Sequence, residues 1–157
     1  MYKLFGMAAL LLLMTTACKK KTTTTNNNTA CNGMNLCFKK NGTLETHNAV
    51  WKVLADRYRI LWEETNGADY RNIEMDIYTT VPGSYTVQPS PAAGQAGFQY
   101  FTNISGTSTN IEGQSGTITI SGISGTQISG TFTLSAKNLG DNSVVEFTEG
   151  NFVSVPQ

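Results

Sequence analysis

From Asn103 to the C-terminus the chain alternates β-branched or aromatic residues with Thr and Ser, and Gly breaks the alternation every few residues. Period-two alternation fits a pleated strand with one buried face, and a glycine between such runs marks a turn. The segment Gly116–Ser121 places Ile118 and Ile120 on one face. Gln127–Ala136 places Ile128, Phe132 and Leu134 inward, with Gly130 where another side chain would face the core. Ser143–Thr148 contributes Val145 and Phe147, and Asn151–Val155 reads as a separate closing strand. Composition agrees. Thr, Asn, Ser and Gly supply 62 of 157 residues and charged residues only 14%, a balance that disfavours a helical bundle.

The same pattern extends upstream. Tyr58, Ile60 and Trp62 share one strand face, with Arg57, Arg59 and Leu61 on the other. Ile73, Met75 and Ile77 then alternate with Asn72, Glu74, Asp76 and Tyr78. The intervening Asn66-Gly67 is a strong hairpin signal. Pro82-Gly83 turns the chain into Ser84–Val87, Pro89–Gly97 reads as a loop, and Phe98–Asn103 as a strand. Val50, Val53 and Leu54 fall at helical spacing, with Thr46 or Asn48 as a cap, so one short helix is expected near Thr46–Asp56. The tripeptide Ile-Ser-Gly begins at Ile104, Ile120, Ile123 and Ile128 without a fixed period, which excludes a solenoid; we read it as strand ends meeting glycine turns. The fold class is therefore all-β: an antiparallel β-sandwich of short strands, with a lipocalin-like β-barrel as the alternative.

The N-terminus has a different organisation. Lys3 precedes an apolar run from Leu4 to Met14, well short of the ~20 residues of a membrane-spanning helix. Residues 1–17 read as a secretory signal. The run Thr15-Thr16-Ala17-Cys18 resembles the lipobox of bacterial lipoproteins, with Thr15 where Leu is usual, and the resemblance implies acylation of Cys18. Residues 18–30 then form the acylated cysteine and a flexible polar tether, because Lys19–Lys21, Thr22–Thr25, Asn26–Asn28 and Thr29 carry no apolar area to bury. Residues 31–157 form the β domain.

Net charge is zero over the chain, yet residues 31–157 carry seven Lys and Arg against eleven Asp and Glu. An acidic domain offers nucleic acid no footprint, and no nucleic-acid partner is expected. Cys31 and Cys37 remain as an even pair in an exported protein, which predicts a disulfide. With His47 the only histidine, no metal set and no Ser-His-Asp triad can be assembled, and no cofactor motif is present. His47, beside Asn48, is assigned to a surface or cap role. The paired acids Glu74 and Asp76 lie about 7 Å apart along one strand face, but alternating acids usually mark a solvated face, so the chain is not read as an enzyme.

Aromatics crowd the middle of the domain, and Trp62, Phe98 and Tyr100 are assigned to the core. Tyr78, on the face of Glu74 and Asp76, and Tyr70, in the turn, are the candidates for ligand contact. The stretch Gly116–Asn138 followed by Val144–Phe152 resembles small Gram-negative envelope lipoproteins with a β-sandwich domain of unknown function, over Gly113–Val153. Those considerations lead us to expect a lipid-anchored protein of the cell envelope, at the outer membrane, with a binding or structural accessory role. Its partners are the membrane, through the lipid, and a glycan or protein. One alternative is a glycan- or peptide-binding module using the exposed aromatics. Another is a lipocalin-like carrier of an apolar ligand, with Trp51 closing the barrel floor.

Overall fold

The computed structural model describes residues 31–157 of the chain. The expected signal peptide, the acylation expected at Cys18 and the expected tether lie outside the described residues. Ten strands follow one another: β1 (Leu36–Lys40), β2 (Thr43–His47), β3 (Val50–Val53), β4 (Tyr58–Asn66) and β5 (Asp69–Ile77), then β6 (Gly83–Val87), β7 (Gln95–Ile104), β8 (Thr107–Ser124), β9 (Gln127–Asn138) and β10 (Val144–Pro156). The all-β expectation holds, and no helix occurs among the described residues.

The helix expected near Thr46–Asp56 is replaced by the end of β2 and by β3. Here tertiary pairing overrides a weak local pattern. Val50–Val53 pairs antiparallel with Tyr58–Leu61, burying Trp51 edge-on against Tyr58 with ring centroids 5.7 Å apart. Asn35 fixes the approach to β3: its side-chain amide accepts a hydrogen bond from the Ala49 N–H at 2.5 Å and donates to the Ala49 carbonyl at 2.8 Å.

Tight turns set the registers. Asn66 pairs with Asp69 across Gly67-Ala68, so the hairpin read from Asn66-Gly67 is correct, although Tyr70 lies inside β5 and not in the turn. Ile104 pairs with Thr107 across Ser105-Gly106, where both φ angles are positive (50° and 81°), the mirror-image turn that matches strand twist. The Ile-Ser-Gly copies thus divide. Those starting at Ile104 and Ile123 reach turns, whereas those at Ile120 and Ile128 lie within β8 and β9, where Ile120 pairs with Gly130.

Several strands are longer than expected. β8 runs 18 residues and covers the uninterpreted stretch before Gly116. Ser143–Thr148 and Asn151–Val155 belong to one strand, β10, interrupted by a register shift between Phe147 and Gly150 rather than by a loop. Glu149 takes a positive φ of 53° at this bulge, which bends the strand and re-aims its side chains.

All ten strands belong to one sheet, consistent with a β-sandwich or an open β-fold. The sheet coils. β3, β4, β5, β7, β8, β9 and β10 pair in succession, and β10 returns to β3 through two parallel pairs, Val155 with Val50 and Pro156 with Trp51. A second parallel contact joins β6 to β7, so the sheet is mostly but not wholly antiparallel. β1 lies beside β10, and β2 pairs with β1 alone.

Aromatic side chains meet across the interior. Phe98 of β7 lies 4.6 Å from Phe147 of β10 and 6.1 Å from Phe132 of β9, and Phe38 of β1 lies 5.9 Å from Phe132. Trp62, Phe98 and Tyr100 are all buried, as their alternation indicates. Gly130 is required by close approach: a Cβ there would sit 2.0 Å from the Thr119 carbonyl oxygen and 2.4 Å from the Phe152 ring.

Candidate functional site

The outer wall of the β4–β5 hairpin carries Tyr70, Glu74 and Asp76 on one face of β5, with Tyr78, the fourth residue singled out as a ligand contact, just beyond the strand end. Counting outward from the Gly67-Ala68 turn places Arg59 directly opposite Asp76, and Leu61 opposite Glu74. Arg59 grips Asp76 with two hydrogen bonds, Nε to Oδ1 and Nη2 to Oδ2, both 2.7 Å. Its Nη2 also lies 2.9 Å from Glu74 Oε1. Arg57 Nη1 donates to Asp76 Oδ2 at 3.3 Å and to the Tyr78 hydroxyl, and its guanidinium stands over the Tyr78 ring, 4.4 Å from the centroid.

This wall is not the solvated acidic strip that alternation alone implies. Asp76 is only 8% exposed, and each acid has a cationic partner. Burial pushes the Glu74 carboxyl above its ordinary range; neighbouring Asp76 adds to the rise and Arg59 opposes it. The two arginines were legible as residues of the opposite strand. The hairpin register dictates which acid each one meets.

A shallow groove of about 160 Å³ runs beside the cluster, between Glu74, Asp76 and Tyr78 on one side and Pro89, Pro91 and Gln99 on the other. Gly97 opens it: a Cβ there would meet Pro91 Cγ at 3.2 Å. Tyr70 stands toward the turn end of the same strand, four residues or roughly 13 Å from Glu74 and eight residues or roughly 26 Å from Tyr78; there its hydroxyl donates to Glu63 Oε1 at 3.0 Å and its ring lies 6.0 Å from Phe101.

A second polar site has no counterpart in the sequence reading. β10 gives its flank to β1 along Leu36–Lys40 and to β3 only over the last two pairs, so β2 is left without a partner on its far side. A cleft of about 450 Å³ opens there, lined by Lys40, Glu45, His47, Arg71, Tyr100, Thr102 and Ile104. Lys40 Nζ lies 2.8 Å from Glu45 Oε1, donates to the Tyr100 hydroxyl at 3.1 Å, and stands 4.3 Å from the Tyr100 ring centroid.

His47 is not at the surface. Its ring lies 3.7 Å from that of Trp62, and its side chain is only 13% exposed. Nε2 approaches Glu45 Oε2 at 3.4 Å but is misaligned for a hydrogen bond and has no partner. Burial works against the Glu45 charge, yet nearby His47 and Lys40 outweigh it and hold the carboxyl below its ordinary value. Lys40 shifts in the complementary sense, upward: burial opposes its charge, and the contacts with Glu45 and Tyr100 prevail.

Cys31 and Cys37 are bonded, with Sγ atoms 2.07 Å apart and Cα atoms 5.2 Å apart. Both are buried, and the bridge fastens the start of β1 beside Asn151 of β10. Among the described residues no His, Cys, Asp or Glu group has metal-binding geometry. Nor is any helix there long and apolar enough to cross a membrane.

Comparison with curated proteins and with solved structures gives no match. The family comparison does. Residues 59–156, from the second residue of β4 through β10, match a domain of unknown function (DUF6252), and the chain belongs to that family.

Proposed function

We propose that this chain is a lipid-anchored protein of the Gram-negative cell envelope, held at the outer membrane through Cys18, whose β domain acts by binding. The observation that carries the reading is the run Thr15-Thr16-Ala17-Cys18 directly behind a short apolar segment, followed by Lys19–Lys21. Acyl chains contribute about 0.8 kcal/mol per buried CH₂, so two or three on one cysteine anchor a protein durably. Twelve residues, Lys19–Ala30, all but the last of them polar, would then let the domain range on the order of 20 Å from the bilayer. The bonded Cys31–Cys37 pair supports an oxidising compartment.

Metabolic labelling with a palmitate analogue tests the anchor. Label is expected on the wild type and absent from Cys18→Ala, with globomycin causing the precursor to accumulate. Equal labelling of both chains would overturn the reading.

The glycan- or peptide-binding reading rests on half-buried Tyr78 beside the groove at Pro89 and Pro91. Arg57 covers one face of that ring. This reading predicts retention on a glycan or peptide array that Tyr78→Ala abolishes. The carrier reading has weaker support, because aromatic rings from β1, β7, β9 and β10 fill the space an apolar ligand would need. A carboxylate-based hydrolase has little support, since Glu74 and Asp76 are both held by Arg59.

A further inference from the structure

The cleft beside β2 is chemically unlike the rest of the domain. Residues 31–157 carry four more acidic than basic groups, yet two cations and a single carboxylate line this opening. The Lys40–Glu45 pair is internally neutral, at 2.8 Å. That leaves Arg71. It is exposed, and among the described residues it has no ion-pair partner within 4.0 Å. Glu64, its cross-strand neighbour, and Asp69 border a separate depression with it.

A free guanidinium is a planar fork whose donors match the two oxygens of a carboxylate. One uncompensated positive charge balances a monoanion and leaves a dianion in excess, the more so on an acidic domain. The other lining groups select for hydroxyls: Thr102 contributes a hydroxyl, and Glu45 Oε2, which accepts the Tyr100 hydroxyl at 3.4 Å, is a carboxylate oxygen with a second lone pair for another donor. Ile104 offers a small apolar surface. A volume of about 450 Å³ falls within the range of small-ligand sites.

We infer that this cleft binds a small hydroxylated monocarboxylate of the sugar-acid class, its carboxylate on Arg71 and its hydroxyls on Glu45 and Thr102. The site is separate from the Tyr78 groove and does not depend on the lipid anchor. Lys40, Glu45 and His47 lie before residue 59, where the family match begins, so three of the seven lining residues come from the β1–β2 hairpin.

Calorimetric titration of the detergent-solubilised full chain tests the inference, using D-glucuronate, D-galacturonate and N-acetylneuraminate against D-glucose and D-glucose 1-phosphate. At least one acid is expected to saturate the protein below about 10 mM, with glucose and the phosphate weaker. Arg71→Gln is expected to weaken that acid by about tenfold or more, and Arg71→Lys, which keeps the charge but loses the fork, by less. Cys18→Ala is expected to bind as the wild type, which keeps this result distinct from the anchor test. Failure of all three acids to saturate, phosphate binding equal to or tighter than the acids, or unchanged affinity in both Arg71 variants would falsify it.

Discussion

At the residue scale, what a side chain does here depends on its neighbours across the sheet more than on its own type. Glu74 and Asp76 look alike in sequence, yet Asp76 is buried and doubly bonded to Arg59 while Glu74 shares the same guanidinium from the rim. Glu45 is the clearest case for a pH test. Its carboxyl is lowered in the folded state, so its contribution is complete above the ordinary value of 4.5 and is lost as pH falls through the folded value. Lys40 is raised, so its contribution is present below 10.5 and is lost as pH rises through its folded value. Glu45→Gln is therefore expected to be less stable than the wild type at neutral pH, with the difference closing in acid. Urea unfolding at about pH 7 and about pH 3 measures both ends; a difference that persists unchanged in acid would contradict the assignment. Gly130 was legible as a missing side chain on a core face, and the structure supplies the reason in the Thr119 carbonyl and the Phe152 ring. The obstruction includes backbone, which cannot rotate away, so Gly130→Ala is expected to cost about 3 kcal/mol in the same urea measurement.

Among the elements, those with strict alternation and a tight turn were readable, and those fixed by distant partners were not. The β4–β5 hairpin follows from Asn66-Gly67 and the period of two. β3 could not be read, because Val50, Val53 and Leu54 fit a helix equally well until β4 and β10 supply backbone partners on both sides. β10 read as two strands because Glu149-Gly150 looks like a turn; pairing with β9 continues on both sides of the shift. The β1–β2 hairpin depends on its bridge. Cys31–Cys37 closes a short loop where β1 meets β10, and replacing both cysteines with alanine is expected to lower stability by about 2 kcal/mol. Comparison of the oxidised wild type with the double variant in denaturant checks this, and an unchanged midpoint would mean the hairpin is held by packing alone.

For the whole molecule, the decisive feature is how the coiled sheet meets itself. Its seam consists of two parallel pairs and the hydrogen bond from the Gln157 N–H to the Trp51 carbonyl at 2.9 Å. The β8–β9 ladder, by contrast, runs twelve pairs. Local opening follows the weakest ladder, so truncation after Ser154 is expected to speed amide exchange in β3 while leaving β8 and β9 protected. Uniformly faster exchange across all strands would show instead that the seam holds the whole sheet.

By itself the sequence determined the all-β class, the inward faces and most turns. These follow from local rules: a pleat has period two, and a glycine admits turns and close approach. Only the tertiary structure decided the order in which ten strands pair into one sheet, the ion pairing of the outer wall, and the cleft that joins Lys40 and Glu45 to Arg71 and Tyr100. Those outcomes depend on contacts between residues tens of positions apart. No short window of sequence encodes which strand finds which, because pairing is settled by the burial of all faces together.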